Sequence, residues 1–328
     1  MNNKYLMKSS LMAALVIGAL AASTNSGAQV QAQDISQGQS GLLNSQTLDL
    51  GNSKDGKAKV TAKNVSQGQA GLLNDQKMSI GNAGKGGSSN VKVDNVKQGQ
   101  VGLLNSQKMA IGDAGRGKSD VKTGTVMQGQ AGLLNSQEMN LGSVSGTGSS
   151  KVRTGMVLQG QAGLLQRQEM NIGGSSGSGK SDVKLGTAIQ GQAGLLNNQE
   201  MKIGTASGQG KSNVVMGAAV QGQAGLLNNQ QMQVGNASGS GKSNVAVGAV
   251  IQGQAGMLNN QQAKIGNASG GTSNVAVGAV VQGQAGMLND QQVNIGNSSS
   301  GSTSVKTGAV IQGQAGMLNT QKVNIGNN

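Results

Sequence analysis

The chain contains no cysteine, histidine, proline, phenylalanine or tryptophan, and it has a single tyrosine among its 328 residues. Without cysteine there are no disulfides or thiolate metal sites, and without histidine the usual base and metal ligand is missing. A core of aromatic side chains is excluded as well. The remaining apolar residues recur at fixed places along the chain, unlike the scattered apolar residues of a disordered tail.

The acidic residues do not suggest an active site. There are only 12 of them, and they lie scattered through predicted loops and outward positions rather than in the pairs that acid–base chemistry needs. Glu138, Glu169 and Glu200 form one column, but the same column holds Lys77 and Gln231, which favours a solvated stripe. The Gly-Ser-Gly loops lack the order of a phosphate-binding loop. We expect no enzyme activity, no cofactor and no metal.

Repetition is what the chain has in abundance. The phrase Gln-Gly-Gln-x-Gly-[Leu/Met]-Leu-[Asn/Gln]-x-Gln occurs ten times with a period of 30 or 31 residues. Each repeat holds a block of 22 residues, such as Val245 to Gly266, and a loop of eight or nine residues joins it to the next block. A short period of this kind indicates a stacked array, and blocks of fixed length suit strands in register.

Alternation with period two indicates strands rather than helices. In the seventh repeat we expect the even positions to face inward; they are Val214, Met216, Ala218, Val220, Gly222, Ala224, Leu226, Asn228, Gln230, Met232 and Val234. The predicted fold is therefore all-β: a repeat array, either a β-solenoid or a cross-β stack of ten strand–bend–strand repeats. Each strand is expected to pair with its equivalent in the next repeat.

Two amide columns fall on the predicted inward face. If repeats stack about 4.8 Å apart, each amide side chain reaches the amide of the next repeat, and the ladder offsets the cost of burying polar groups. The predicted Asn ladder, which Gln166 interrupts, comprises Asn74, Asn105, Asn135, Asn197, Asn228, Asn259, Asn289 and Asn319. The predicted Gln ladder comprises Gln76, Gln107, Gln137, Gln168, Gln199, Gln230, Gln261, Gln291 and Gln321.

The bend between the two strands is expected around Gln-Gly-Gln-x-Gly, because two glycines fall within four residues there. The predicted bend glycines are Gly71, Gly102, Gly132, Gly163, Gly194, Gly225, Gly256, Gly286 and Gly316. The position before the first Gln of the phrase is expected to face inward. It is Ile251, Val281 or Ile311 in late repeats but Ser66 or Lys97 in early ones, which predicts weaker early repeats. The adjacent column of Val65, Val96 and Val310 is also apolar, without an evident reason.

The N-terminus has the pattern of a secretory signal. Lys4 and Lys8 precede an apolar run from Leu11 to Ala22, and Ser26 and Ala28 suit cleavage after residue 28. The run of about a dozen residues is too short for a membrane anchor, which needs roughly 20. We expect a signal peptide at 1–28, a ten-repeat domain at 29–328, and a secreted chain of net charge +11 instead of +13.

The repeat also resembles known fibre proteins. The stretch from Ala285 to Gln291 resembles the Ala-Gly-x-x-Asn-x-Gln heart of the Fap-type functional amyloid repeat, and Gln284 to Asn289 resembles the Gln-x-Gly-x-x-Asn heart of the curlin repeat. The Cys-x-x-Cys typical of Fap fibre subunits is absent. The resemblance implies a subunit that passes an outer-membrane export channel unfolded and assembles, with a nucleator subunit, into cross-β fibres of a Gram-negative biofilm matrix.

The residues point the same way. The first repeat follows the predicted signal closely and the chain stops at Asn328 inside the tenth, so we expect unpaired strand edges and head-to-tail self-association. The alternative is a monomeric β-solenoid adhesin, or a passenger exported by a separate partner. Extracellular DNA or acidic polysaccharide is a further candidate partner. The lysines that favour it are Lys54, Lys57, Lys85, Lys118, Lys180, Lys211 and Lys242.

Overall fold

The protein is an all-β repeat solenoid. A computed structural model describes residues 5–6, 16–22, 27–53, 56–84, 87–114, 117–145, 148–176, 179–207, 210–238, 241–269, 271–300 and 302–326. Every strand among them runs parallel to its neighbours. The described residues contain no helix that is long and apolar enough to cross a membrane. The β-solenoid predicted from the period is thus confirmed.

Long and short strands alternate along the chain. In chain order the strands are β1 (Tyr5–Leu6), β2 (Val16–Ala22), β3 (Gly27–Ser40), β4 (Leu43–Leu50), β5 (Lys57–Ala70), β6 (Leu73–Ile80), β7 (Ser88–Val101), β8 (Leu104–Ile111), β9 (Lys118–Ala131), β10 (Leu134–Leu141), β11 (Val144–Ser145), β12 (Ser149–Ala162), β13 (Leu165–Ile172), β14 (Ser175–Ser176), β15 (Lys180–Ala193), β16 (Leu196–Ile203), β17 (Lys211–Ala224), β18 (Leu227–Val234), β19 (Lys242–Ala255), β20 (Leu258–Ile265), β21 (Thr272–Ala285), β22 (Leu288–Ile295), β23 (Thr303–Ala315) and β24 (Leu318–Ile325).

Two parallel sheets face each other. The long-strand sheet has the order β1-β3-β5-β7-β9-β12-β15-β17-β19-β21-β23, and the short-strand sheet has the order β2-β4-β6-β8-β10-β13-β16-β18-β20-β22-β24. One long strand, a bend and the following short strand make one turn, from turn one (β3 and β4) to turn ten (β23 and β24). Equivalent residues pair in register, as Gln221 does with Gln252. Register of this kind brings each sequence column onto one line along the solenoid.

A third, narrow ladder closes the corner after each short strand. A glycine with positive φ follows the short strand, as at Gly235 (φ 62°), and a Cβ atom there would overlap the side chain of Val245. Ser243 Oγ donates to the carbonyl oxygen of this same glycine. Beyond the corner, Ala206, Ala237 and their equivalents form parallel bridges from turn to turn. The loop therefore begins in register before it diverges in length.

Each long strand changes its inward parity halfway along. In β17 the buried residues are Ser212, Val214 and Met216 before the change and Ala219, Gln221 and Gln223 after it. The change falls at Gly217, which the register skips on both neighbouring strands. A Cβ atom at Gly217 would lie 2.6 Å from the carbonyl oxygen of Gly186. Glycine lets the strand bend there without leaving the sheet.

The parity change corrects the prediction for the second half of the long strand. Ile251, predicted to face inward, lies on the outer face with 41% of its surface exposed, whereas the adjacent Val250 is fully buried. Lys97 lies on the outer face as well. The column on which the prediction of weaker early turns rested therefore does not enter the core. Leu226 is also wrong as an inward residue, since it is 45% exposed at the bend.

The core is one continuous column of aliphatic side chains between the sheets. The short strand contributes Met232 and Val234 in turn seven, both fully buried, and the long strand contributes Val214 and Ala219. Equivalent residues in the other turns join the same cluster. The apolar column of Val65, Val96 and their equivalents, for which the sequence offered no reason, belongs to this core.

The predicted signal segment supplies the first two strands. β1 pairs with β3, and β2 pairs with β4 from Val16 opposite Asn44 to Ala22 opposite Leu50. The rest of that prediction, at residues 1–4, 7–15 and 23–26, lies outside the described residues.

Candidate functional site

The predicted asparagine residues form a ladder along the inner face of the short-strand sheet. Asn228 Nδ2 donates to Asn259 Oδ1 of the next turn at 2.8 Å, and also to the carbonyl oxygens of Gly225 and Ala255 at 3.2 and 3.0 Å. Equivalent amide–amide bonds of 2.8 to 3.0 Å connect Asn44 through Asn135 and Asn197 through Asn319. The ladder also anchors each bend, because Gly225 is the bend residue of the same turn.

The predicted glutamines form a second ladder two residues further along. Nine bonds between Nε2 and Oε1, at 2.8 to 3.2 Å, link Gln46 to Gln321 without a break. Each glutamine donates to the preceding turn, whereas each asparagine donates to the following turn. The two ladders therefore run in opposite senses on one buried surface, and every turn presents both a donor and an acceptor to each neighbour.

The ladder of asparagines is interrupted at one place. Gln166 Nε2 donates to the carbonyl oxygens of Gly163 and Ala193 rather than to the next amide. In the described part of the chain, Gln166 Oε1 and Asn197 Oδ1 are buried without a hydrogen-bond partner. The extra methylene of glutamine displaces its amide from the column, which leaves two polar atoms unsatisfied.

Two further ladders lie in the long-strand sheet, and the sequence analysis missed them. Gln221 Nε2 donates to Gln190 Oε1, and Gln223 Nε2 donates to Gln192 Oε1, at 2.8 and 2.9 Å. Gln223 also crosses the interior to the carbonyl oxygen of Asn229 at 3.2 Å. The Gln-Gly-Gln segment is thus the inward end of the long strand and not part of the bend. The sequence feature that could have revealed these ladders is the pair of glutamines, two positions apart, in all ten repeats.

The predicted bend glycines begin the bends. In turn seven Gly225 and Leu226 connect the two strands, and their amides donate to Ala255 and Leu195 in the neighbouring turns. A Cβ atom on Gly225 would overlap the carbonyl oxygen of Gly194. The bends therefore stack backbone on backbone, and only glycine permits that approach.

The first turn ends the amide ladders with two unsatisfied atoms. Among the residues that the structure describes, Asn44 Oδ1 and Gln46 Nε2 are buried without a hydrogen-bond partner. β2 covers this edge in register, but the residues opposite them are Val16 and Gly18, and neither residue type carries an amide. The covering strand thus pairs its backbone with turn one and leaves the side-chain ladders open.

The tenth turn presents the complementary groups. Asn319 Nδ2 donates within its own turn, to the carbonyl oxygen of Gly316 at 3.3 Å. Gln321 Nε2 donates back to Gln291 Oε1 at 3.2 Å. Within the described part of the chain, no donor reaches Gln321 Oε1. An amide donor and an amide acceptor are therefore available at this edge.

A shorter column of polar side chains stacks at the corner after the short strands. Asn82 Oδ1 accepts from the backbone amide of Asp113, and Asp113 Oδ1 accepts from that of Ser143, both at 2.8 Å. Burial raises the pKa of Asp113 to about 6, with a further rise from Glu138, while the Ser143 amide and Lys108 oppose it. Asp113 thus lies in a column of mostly neutral polar residues, and its surroundings disfavour the ionised carboxylate.

The column of glutamates lies on the outer face of the short-strand sheet. Burial opposes the ionisation of Glu138, but hydrogen bonds from Lys108 and Asn140 outweigh it and hold its pKa below the ordinary value. The Lys108–Glu138 ion pair measures 2.9 Å. In the residues that the structure describes, no group of three or more acidic side chains is placed to hold a metal ion.

Comparisons with models of protein families, with curated proteins and with solved structures find no match for this chain. The likeness to Fap-type and curlin repeats therefore stays a likeness of short motifs. The features that bear on function are the amide ladders and the polar groups that they present at the edges of turns one and ten.

Proposed function

We propose that the protein is a structural subunit that is secreted and polymerises end to end into an extracellular amyloid-like fibre. The observation that carries the proposal is the match between the edges of turns one and ten. Gln46 Nε2 lacks an acceptor and Gln321 Oε1 offers one; Asn44 Oδ1 lacks a donor and Asn319 Nδ2 offers one. A second copy stacked in register continues both ladders in the sense that they already have.

The apolar columns support the same contact. Val323 and Ile325 of β24 are 42% and 38% exposed, whereas the equivalent Val293 and Ile295, which have a turn on both sides, are fully buried. A following turn therefore removes these side chains from water, at about 25 cal/mol for each Å² of apolar surface. Open edges that carry a complete template are the property that favours growth of a filament over a closed oligomer.

Removal of the predicted signal peptide would prepare the other edge. β1 and β2 both lie within residues 1–28 and pair with turn one. Their loss exposes the backbone of β3 and β4 together with the two unsatisfied amide atoms of turn one. Cleavage during export would therefore couple the arrival of the chain outside the cell to its ability to polymerise. An outer-membrane channel, a nucleator subunit and a role in a biofilm matrix belong to the proposal through the repeat resemblance alone.

Seeded growth tests the proposal. Purified chain lacking residues 1–28 should convert from soluble protein to fibres after a lag, because the first contact between copies orders free chain ends, and preformed fibres should shorten that lag. Light scattering and electron microscopy follow the conversion. A chain that stays monomeric for days at high concentration, with and without seeds, would contradict end-to-end growth and favour the monomeric adhesin.

A second candidate function, the binding of polyanions, is favoured by one observation. Lys92, Lys122, Arg153 and Lys184 stack in register on the outer face of turns three to six, and all four are exposed. A row of basic groups about 4.8 Å apart attracts DNA or acidic polysaccharide through counterion release. Replacing the three lysines by glutamine should weaken DNA binding and flatten its salt dependence, and an unchanged salt dependence would exclude this row.

A further inference from the structure

One glycine column has no explanation within the chain. A glycine separates the two glutamines of the Gln-Gly-Gln phrase in all ten turns, for example Gly222, Gly253 and Gly283. It has ordinary strand geometry, and a Cβ atom at any of the ten would meet no atom within 4 Å. The other three glycine columns discussed above differ, because a Cβ atom on Gly217, Gly225 or Gly235 would overlap neighbouring atoms. Glycine inside a strand weakens it, and it often marks the close approach of another molecule.

Apolar ridges border this glycine column on both sides. On one side stands the outward column of Ile251, which is 41% exposed; on the other, beyond Ala255, stands the bend residue Met257, which is 46% exposed. The glycines and the neighbouring Ala255 column form the floor of a groove between the ridges. Exposed apolar surface on this scale is unusual for a monomeric protein.

Charge is absent from the same band over most of its length. In turns four to ten the four outward columns, at the positions of Ala249, Ile251, Gly253 and Ala255, hold no charged residue, although the chain carries a net charge of +13. In turns one to three the first two of these columns contain Asp34 and Lys97. The uncharged band is therefore the part of the long-strand sheet where two basic copies approach with the least repulsion.

We infer that this band, from turn four to turn ten, is a lateral interface between two copies of the chain, in which the apolar ridges of each copy lie in the glycine groove of the other. The band is about six residue steps wide, at about 3.3 Å each, and seven turns long, at about 4.8 Å each. This gives about 700 Å² for each copy, or about 1,400 Å² in total, which is the size of a standard stable interface. A surface with a ridge beside a groove is complementary to a second copy of itself across a two-fold axis. The interface uses an outer face and not the strand edges, so it is independent of end-to-end growth.

Two pairs of substitutions test the band without endangering the fold. In the first, Ile189→Lys with Ile251→Lys puts charge on the ridge, in a column where Lys97 already stands. In the second, Gly222→Val with Gly253→Val fills the groove, where a Cβ atom meets no atom of its own chain within 4 Å. The matched control, Gln231→Lys with Gln292→Lys, adds the same charge to the other sheet, in the column of Lys77 and Lys108.

The readouts are the mass per unit length of the fibres, by dark-field electron microscopy, and the sedimentation equilibrium of soluble protein. The wild type and the control should form fibres with two chains per cross-section and dimers in solution. Both test variants should halve the mass per unit length and sediment as monomers. A different result would separate the two proposals: no fibre forms, the wild type and the control are dimers, and the test variants are monomers. That result would contradict end-to-end growth and support the lateral interface.

Three results would overturn the inference: single-chain fibres together with a monomeric wild type, a test pair that leaves pairing intact, or equal loss of pairing in the control. Flotation of a monomeric wild type with phosphatidylcholine vesicles, abolished in the glycine variants, would assign the band to a lipid surface instead of a second copy.

Discussion

Turns one to three and turns four to ten of the solenoid share their inward columns and differ on their outer face. Val96 in the early part and Val280 in the late part are both fully buried, and the glutamine ladders run through both parts without a break. On the outer face, however, Lys97 in turn three is replaced in turn eight by Ile251. The comparison shows that residue types vary along the solenoid on its outer face, whereas the inward columns that hold the turns together vary less.

The largest expected effect comes from removing inward amides, and it should be the same in both parts. Asn74→Ala with Gln76→Ala in turn two, or Asn289→Ala with Gln291→Ala in turn nine, leaves ladder partners above and below unsatisfied. Each buried group without a partner costs about 1 to 3 kcal/mol. We expect a similar large drop in the urea midpoint for both variants, measured by circular dichroism, and slower fibre growth.

The controls for this prediction are the outward neighbours. Asp75→Ala with Lys77→Ala, and Asp290→Ala with Gln292→Ala, change the opposite face of the same strands and should shift the midpoint little. Equal sensitivity of inward and outward pairs would contradict the facing of the short strands. If the urea midpoint fell only for the variant in turn nine, the prediction of weaker early turns would be supported.

The next effect depends on pH and lies at the boundary between the two parts, just after turn three. Because the pKa of Asp113 rises from 3.8 to about 6 on folding, ionisation disfavours the folded chain. The penalty is absent below about pH 3, where the carboxyl is protonated in both states, and it grows until about pH 6. Asp113→Asn should therefore stabilise the protein by about 1 to 3 kcal/mol at pH 7 and by nothing at pH 3. Urea unfolding at the two pH values measures this, and a gain that is independent of pH would contradict it.

A smaller stabilisation is expected in turn five. Gln166→Asn restores the residue that the other turns carry, so that it can donate to Asn197 Oδ1 and accept from Asn135 Nδ2. Two buried atoms regain partners, for a gain of about 1 to 2 kcal/mol in the free energy of unfolding. The neighbouring Arg167→Asn, on the outward face, is the control and should be neutral. A destabilising Gln166→Asn would show that the interruption relieves strain in the ladder.

The smallest effect is expected where early and late turns differ most. Lys97→Ile and Ile251→Lys exchange the outward residues between the two parts, and each should change the free energy of unfolding of the monomer, measured at low protein concentration, by less than about 0.5 kcal/mol, as substitutions on the surface do. If the column faced inward, Lys97→Ile would stabilise and Ile251→Lys would be severely destabilising. Thermal unfolding of the two variants distinguishes these cases.

Much of this architecture was predictable from the sequence because the repeats supply ten versions of each position. The period indicated a stacked array, and alternation in the short strand identified Asn228, Gln230, Met232 and Val234 as one face, which the structure buries. The asparagine and glutamine columns stood out because a column of amides has a physical reason only when equivalent residues stack.

The parity of the long strand was not predictable in the same way. Alternation with period two assigns the same inward parity to the whole strand. The change at Gly217 reverses which residues face inward after that point. The signal was a glycine column in turns four to ten, but Lys63 and Asp94 occupy it in earlier turns, so no single residue type identified a bulge. The two ladders that begin at Gln37 and Gln39 were missed for this reason.

A disulfide between copies tests the central claim, end-to-end stacking in register, most directly. The chain has no cysteine, so Ser45→Cys with Thr320→Cys in the chain lacking residues 1–28 introduces the only two thiols. Both positions lie in one outward column, at opposite ends of the solenoid and nine turns apart, which is about 43 Å. If turn one of one copy stacks on turn ten of the next, their Cα atoms come within the 4.4 to 6.8 Å that a disulfide spans. Oxidised fibres should then give long covalent chains on a denaturing gel, while Thr47→Cys with Thr320→Cys, out of register by two residues, should give almost none. Fibres that link equally well through both pairs, or through neither, would contradict the account.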